Sequence, residues 1–176
     1  MTAEPAPPPP DGKDWTWVLE RPCRDCDYRS NTPHDEIPTV IRDAVARWQQ
    51  VLLRPDVRRR PDEQVWSALE YGCHVRDVFG VFGGRLELML DTDDPHFPNW
   101  DQDATAVQSR YWAADPREVS TELAARGEAF ARRYATVDGA QWQRSGRRSN
   151  GSVFTVETLA WYCLHDVVHH LADVSG

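Results

Sequence analysis

The sequence contains no run of about 18 apolar residues, the minimum for a membrane-spanning helix, and its opening, MTAEPAPPPPDG, has neither the basic nor the apolar region of a secretory signal. These absences argue against a bilayer-spanning protein and place the expected location in the cytoplasm. Positive charge is also scarce: the formal net charge is -8, the isoelectric point is near 5.2, and Lys13 is the only lysine. Nucleic acid or an acidic membrane surface requires a basic face, and no such face is evident, so small molecules and proteins are the expected partners. The lysine shortage fits coding bias and carries no functional weight. Cysteine is sparse too, with four in the chain; in a reducing compartment these are thiols or ligands rather than structural disulfides. There is no internal repeat.

The chain has 176 residues, 40% of them hydrophobic, including eight tryptophans, which is enough to fill a single core. Two parts are read along it. Residues 1–34 form a Pro-rich arm, unsuited to helix or sheet, followed by the C-x-x-C element Cys23/Cys26. Residues 35–176 read as an all-α four-helix bundle. Ile37, Ile41, Val45, Trp48 and Leu52 recur at helical steps, with Pro38 in the first turn. Tyr71, Val78, Val81, Phe82 and Met89 share a face of a second helix, whose later half is weakened by Gly80, Gly83 and Gly84 and is expected to kink or cross a neighbour closely. Residues 91–114, broken by Pro95 and Pro98, form a long connection containing at most a short helix; connections of this length are often functional. Asp115 as N-cap, Pro116 behind it and Glu118 at the capping-box position start a third helix. Asn150-Gly151 marks a small hairpin, and Thr155 caps the last helix.

That last helix carries LHDVVHH. His165 and His169, four apart, lie on one face beside the core row Ala160, Leu164, Val168 and Leu171. His74 falls in the middle of the apolar face of the second helix. The spacing admits two readings. Either three imidazoles converge as a divalent-metal site with open positions, or His74 is a satisfied core histidine and the other two are polar edge residues. His170, about 140° round the helix from His165, reads as a surface or supporting group. His34 and His96 fall in capping or loop sequence.

WSALEYGCHVRDVF, FPNWDQDATAV and FTVETLAWYCLHDVVHH resemble the DinB/YfiT-like superfamily of bacterial proteins, which includes thiol-dependent S-transferases and mycothiol-dependent maleylpyruvate isomerases. The resemblance spans about residues 35–174. It implies a four-helix bundle with a long crossover between helices two and three, and a divalent metal on His74, His165 and His169: zinc first, with nickel or iron as alternatives.

A three-histidine ion lowers the pKa of a bound water or thiol. The expected activity is therefore attack by a low-molecular-weight, mycothiol-like thiol on a small electrophile, by S-transfer or isomerisation. Asp77 and Asp166 are candidate catalytic carboxylates that would orient imidazole N–H groups, with Glu70 a third. Trp100, Asp101 and Asp103 sit in the crossover, where they would cover the bundle mouth, and Arg147 and Arg148 would clamp a substrate carboxylate. Cys23 and Cys26 are a candidate second metal pair, but no second C-x-x-C completes a four-cysteine site and His34 is the one further ligand in view. Cys73 and Cys163 are read as packing residues. The alternative from another class is a noncatalytic metal-binding or homodimeric bundle, paired through Trp161 on the last helix.

Overall fold

Three of the four long helices begin where a capping side chain accepts from their unpaired N–H groups. The computed structural model describes residues 5–176. Helix α1 (Ile37–Leu52) has Pro38 in its first turn; α2 (Ala68–Asp91) starts on a reciprocal box between Ser67 and Glu70. The crossover holds β1 (His96–Phe97) and the short α3 (Gln102–Gln108), capped by Asp101. Asp115 accepts from the backbone N–H groups of Arg117 and Glu118 to start α4 (Pro116–Tyr134). Strands β2 (Ser145–Arg148) and β3 (Val153–Thr155) precede α5 (Val156–Asp173), which Thr155 caps.

Helices α1 and α2 each pack on both α4 and α5 and touch each other little, which gives a four-helix bundle. Trp48, Phe79, Leu86, Met89, Leu123, Tyr134 and Leu159 fill its interior. Two buried polar tips are satisfied within it: the Trp48 indole donates to the Val167 carbonyl at 3.2 Å and the Tyr134 hydroxyl to the Val156 carbonyl at 3.0 Å. None of the helices is long and apolar enough to cross a membrane among the described residues.

Two local expectations change. Helix α2 runs unbroken through Gly80, Gly83 and Gly84: a Cβ at Gly80 would come within 3.1 Å of the Arg126 guanidinium on α4, while one at Gly84 would meet open space. The β2–β3 hairpin, turning through Gly151 at φ +96°, gains a third strand, because β1 pairs with β2 in parallel. Phe97 on β1 is buried against Gly146 on β2, where a Cβ would come within 2.8 Å of the Phe97 ring. This small sheet anchors the crossover to the foot of α5.

Glu70 is fully engaged at the start of α2. Its carboxylate accepts from the Ser67 N–H at 2.8 Å and the Arg60 Nε at 2.9 Å, with Arg60 Nη2 making a second bond. Burial alone would raise its pKa, but the bonds from Arg60 and Ser67 outweigh burial and hold the carboxyl below its ordinary value. A folded value below the unfolded one contributes stability that is complete above the unfolded pKa of about 4.3 and is lost as pH falls through the folded value. Glu70→Gln is therefore expected to lower unfolding free energy at pH 7, with the gap from the unmodified protein closing as pH is lowered past the folded value. Urea unfolding across that range checks this, and a gap that does not change with pH would contradict it.

Candidate metal centre

Helix α5 presents two ligand pairs on adjacent stripes, each with the i, i+4 spacing that places side chains one turn apart. His165 and His169 meet Cys23 and Cys26, and one ligand atom from each of the four lies within 4.8 Å of the others. Asp166 and His170 meet His74 from α2, again within 4.8 Å. The three histidines expected to converge are thus not the set the structure brings together. His74 is joined by the stripe one residue further round α5, and His170, read from sequence as a surface group, stands inside that cluster.

In the first group, Cys23 and His165 are almost fully buried and the Cys23 Sγ lies 3.6 Å from His169 Nδ1. The Trp15 indole covers both imidazoles, with centroids 5.6 Å from His165 and 5.0 Å from His169. Burial, together with the neighbouring His169, pushes His165 down to about 4, and burial lowers His169 as well. Both rings are therefore neutral near pH 7, the form that binds metal. Burial raises the Cys26 thiol to about 11.

In the second group, Asp166 Oδ1 lies 3.1 Å from His74 Nε2 and 3.6 Å from His170 Nε2. Burial opposes the charge on Asp166, yet the surrounding imidazoles hold its carboxyl down at about 2, so it is ionised. The other nitrogen of His170, Nδ1, pairs with Asp173 at 2.8 Å, which fixes the ring's orientation. His74 is wholly buried and stacks with Trp100 at 5.3 Å and an interplanar angle of 5°.

The donors of each group are of the kind that hold a divalent cation, and two ring nitrogens lack partners. Among the described residues, His74 Nδ1 and His165 Nε2 are buried side-chain nitrogens without a hydrogen-bond partner. An unpaired buried polar atom costs about 1–3 kcal/mol; a cation on His165 Nε2 would relieve that cost, whereas on His74 the nitrogen that faces Asp166 is Nε2 and the unpaired Nδ1 lies across the ring.

A cleft of about 360 Å³ opens onto both groups, lined by His165, Asp166, His169 and His170 with Trp15 and Tyr71. It continues into a second lobe of about 390 Å³ lined by Trp100, Asp101, Arg148 and Tyr162; Asp11, Lys13, Trp15, Gln102 and Tyr162 border both lobes. Of the residues expected to meet substrate, Trp100, Asp101 and Arg148 thus line one cleft. Arg147 does not join them; its guanidinium pairs with Asp94 at 2.7 Å. Asp77 does not orient an imidazole, because its carboxylate is taken by Arg76, Arg126 and the Tyr111 hydroxyl. Glu70 belongs to the helix cap and Arg60. His34 stacks on Trp142 at 3.8 Å and pairs with Glu157 at 2.6 Å, apart from Cys23 and Cys26. The Trp161 indole donates to the Thr32 carbonyl of this same chain. Burial pushes the Cys73 thiol up to about 12 and the Cys163 thiol well above its ordinary value; both are packing residues, and neither is a ready nucleophile.

A four-helix bundle with a sheet-anchored crossover and a histidine-rich cleft against its last helix defines a class of small helical proteins. The chain belongs to the DinB superfamily, whose family model matches residues 54–174. No curated protein matches it. Its fold is similar to that of YfiT from Bacillus subtilis, described as a probable metal-dependent hydrolase with an unusual four-helix bundle topology. The likeness has a TM-score of 0.72 at 19% identity, covering 81% of this chain and 85% of that one.

Proposed function

We propose that the protein is a divalent-metal-dependent enzyme whose metal is held by His74, Asp166 and His170, and that it directs a small external nucleophile onto an electrophilic molecule in the cleft. The observation that carries this reading is the convergence of two imidazoles and one ionised carboxylate at the cleft wall. Two histidines and one carboxylate leave coordination positions free for reactants. A bound divalent ion would supply Lewis acidity, lowering the pKa of a water or thiol beside it. Zinc is the ion we propose, and the same ligand set serves iron.

The chain's own groups do the rest. Asp173 orients His170, Trp100 shields His74, and Trp15 and Tyr162 offer aromatic walls to a small substrate. Lys13 and Arg148 provide cations for an anionic group. Because Cys73 and Cys163 are buried and kept protonated, the nucleophile comes from solution. We take it to be a low-molecular-weight thiol of the mycothiol kind, so that the reaction is S-transfer or thiol-assisted isomerisation. Hydrolysis is the second reading, favoured by the description of YfiT.

Metal-loaded protein assayed against a panel of electrophiles, with and without added thiol, tests this. Turnover that requires both metal and thiol is expected. Turnover with metal alone would replace transfer by hydrolysis, and no turnover from a fully loaded protein would favour a noncatalytic bundle.

A further inference from the structure

The cysteine pair and the outer histidine pair have no part in the proposed chemistry, yet the fold assembles them. We propose that Cys23, Cys26, His165 and His169 bind a structural zinc ion that fastens the N-terminal segment to α5 and so fixes one wall of the cleft. This inference stands independently of the catalytic reading.

The donors are two thiols spaced C-x-x-C and two imidazoles spaced H-x-x-x-H, the ligand types and spacings of closed Cys2His2 zinc sites. In compact zinc modules the two pairs are near neighbours in sequence; here the bundle brings together pairs from opposite ends of the chain. All four ligand atoms lie within 4.8 Å of one another, with Cys23 1%, His165 3% and His169 9% exposed. Cys23 and Cys26 sit in a tight turn: the Cys23 N–H donates to the Tyr28 carbonyl at 3.0 Å, and Asp27, just past Cys26, takes a left-handed φ of +58°. His165 Nε2, buried and without a partner, is an independent sign of a missing ligand.

Four protein ligands close the coordination shell, so this ion would be structural. Its ligands also straddle the edge of the family match: the histidines fall inside residues 54–174 and the cysteines outside them. The zinc would thus join a segment outside that match to the last helix of the bundle. That segment carries Trp15, Asp11 and Lys13 into the cleft, and apart from the cluster its polar ties to α5 among the described residues are chiefly the Trp161–Thr32 bond and the His34–Glu157 pair.

The test uses full-length protein in a His74→Ala background, which empties the other group, loaded with zinc and desalted. One zinc per chain is expected, with zinc-edge X-ray absorption showing two sulfurs at about 2.3 Å and two nitrogens at about 2.0–2.1 Å. Adding Cys23→Ser and Cys26→Ser should reduce bound zinc at least tenfold and speed proteolysis within residues 5–36 by a similar factor, while bundle helicity is retained. The unsubstituted protein gives a check free of folding effects, since sulfur must appear among its zinc neighbours. Zinc without sulfur neighbours, zinc retained by the double serine variant, or a Cys23–Cys26 disulfide in zinc-exposed protein would each overturn the proposal.

Discussion

Replacing Asp166 with alanine is expected to weaken binding of the catalytic metal by more than about 100-fold and to lower turnover at least as far, because partners one step removed from a metal already account for roughly 10–100-fold. Asp166 is the shared point of its group: its Oδ1 faces His74 at 3.1 Å and His170 at 3.6 Å. Without it two imidazoles remain and the carboxylate charge that favours a cation is gone. Asp173→Asn, which touches the metal only through His170, should fall in the outer-partner range of about 10–100-fold. Metal titration with circular dichroism as a folding control separates the two effects. An Asp166→Ala protein that binds metal as well as the unmodified chain would remove this residue from the ligand set.

The second large effect belongs to the core. Trp48 is fully buried on α1, and its indole donates to the Val167 carbonyl on α5. Trp48→Ala removes the largest buried side chain and leaves a cavity between the two helices, a change that typically costs about 3–5 kcal/mol. At roughly 2–4 °C per kcal/mol for a domain of this size, Tm should fall by about 6–20 °C. Thermal unfolding followed at the helical signal measures it; a drop of less than a few degrees would mean that α1 and α5 close up over the gap.

The helices were legible because their start signals are local: Asp115-Pro116, Thr155 and the Ile37–Leu52 stripe each specify an element without reference to the rest of the chain. Strand β1 was not, since two residues have no periodicity and His96 and Phe97 pair only because β2 arrives beside them. The metal ligands show the same division more sharply. The i, i+4 rule marks His165/His169 and Asp166/His170 equally well, and the stripes differ by about 100° of helix rotation. Which stripe meets α2 depends on how α5 crosses it, a tertiary fact. The cysteines lacked visible partners for the same reason, because their neighbours in space lie at the other end of the sequence. The one usable signal was the concentration of four ligand-type residues, His165, Asp166, His169 and His170, within a turn and a half of helix.

The division of α5 into two ligand faces is tested most directly by anomalous scattering, at the metal's absorption edge, from crystals of metal-loaded protein. The expected result is one peak bounded by His74, Asp166 and His170 and a second bounded by Cys23, Cys26, His165 and His169. A single peak held jointly by His74, His165 and His169 would contradict it.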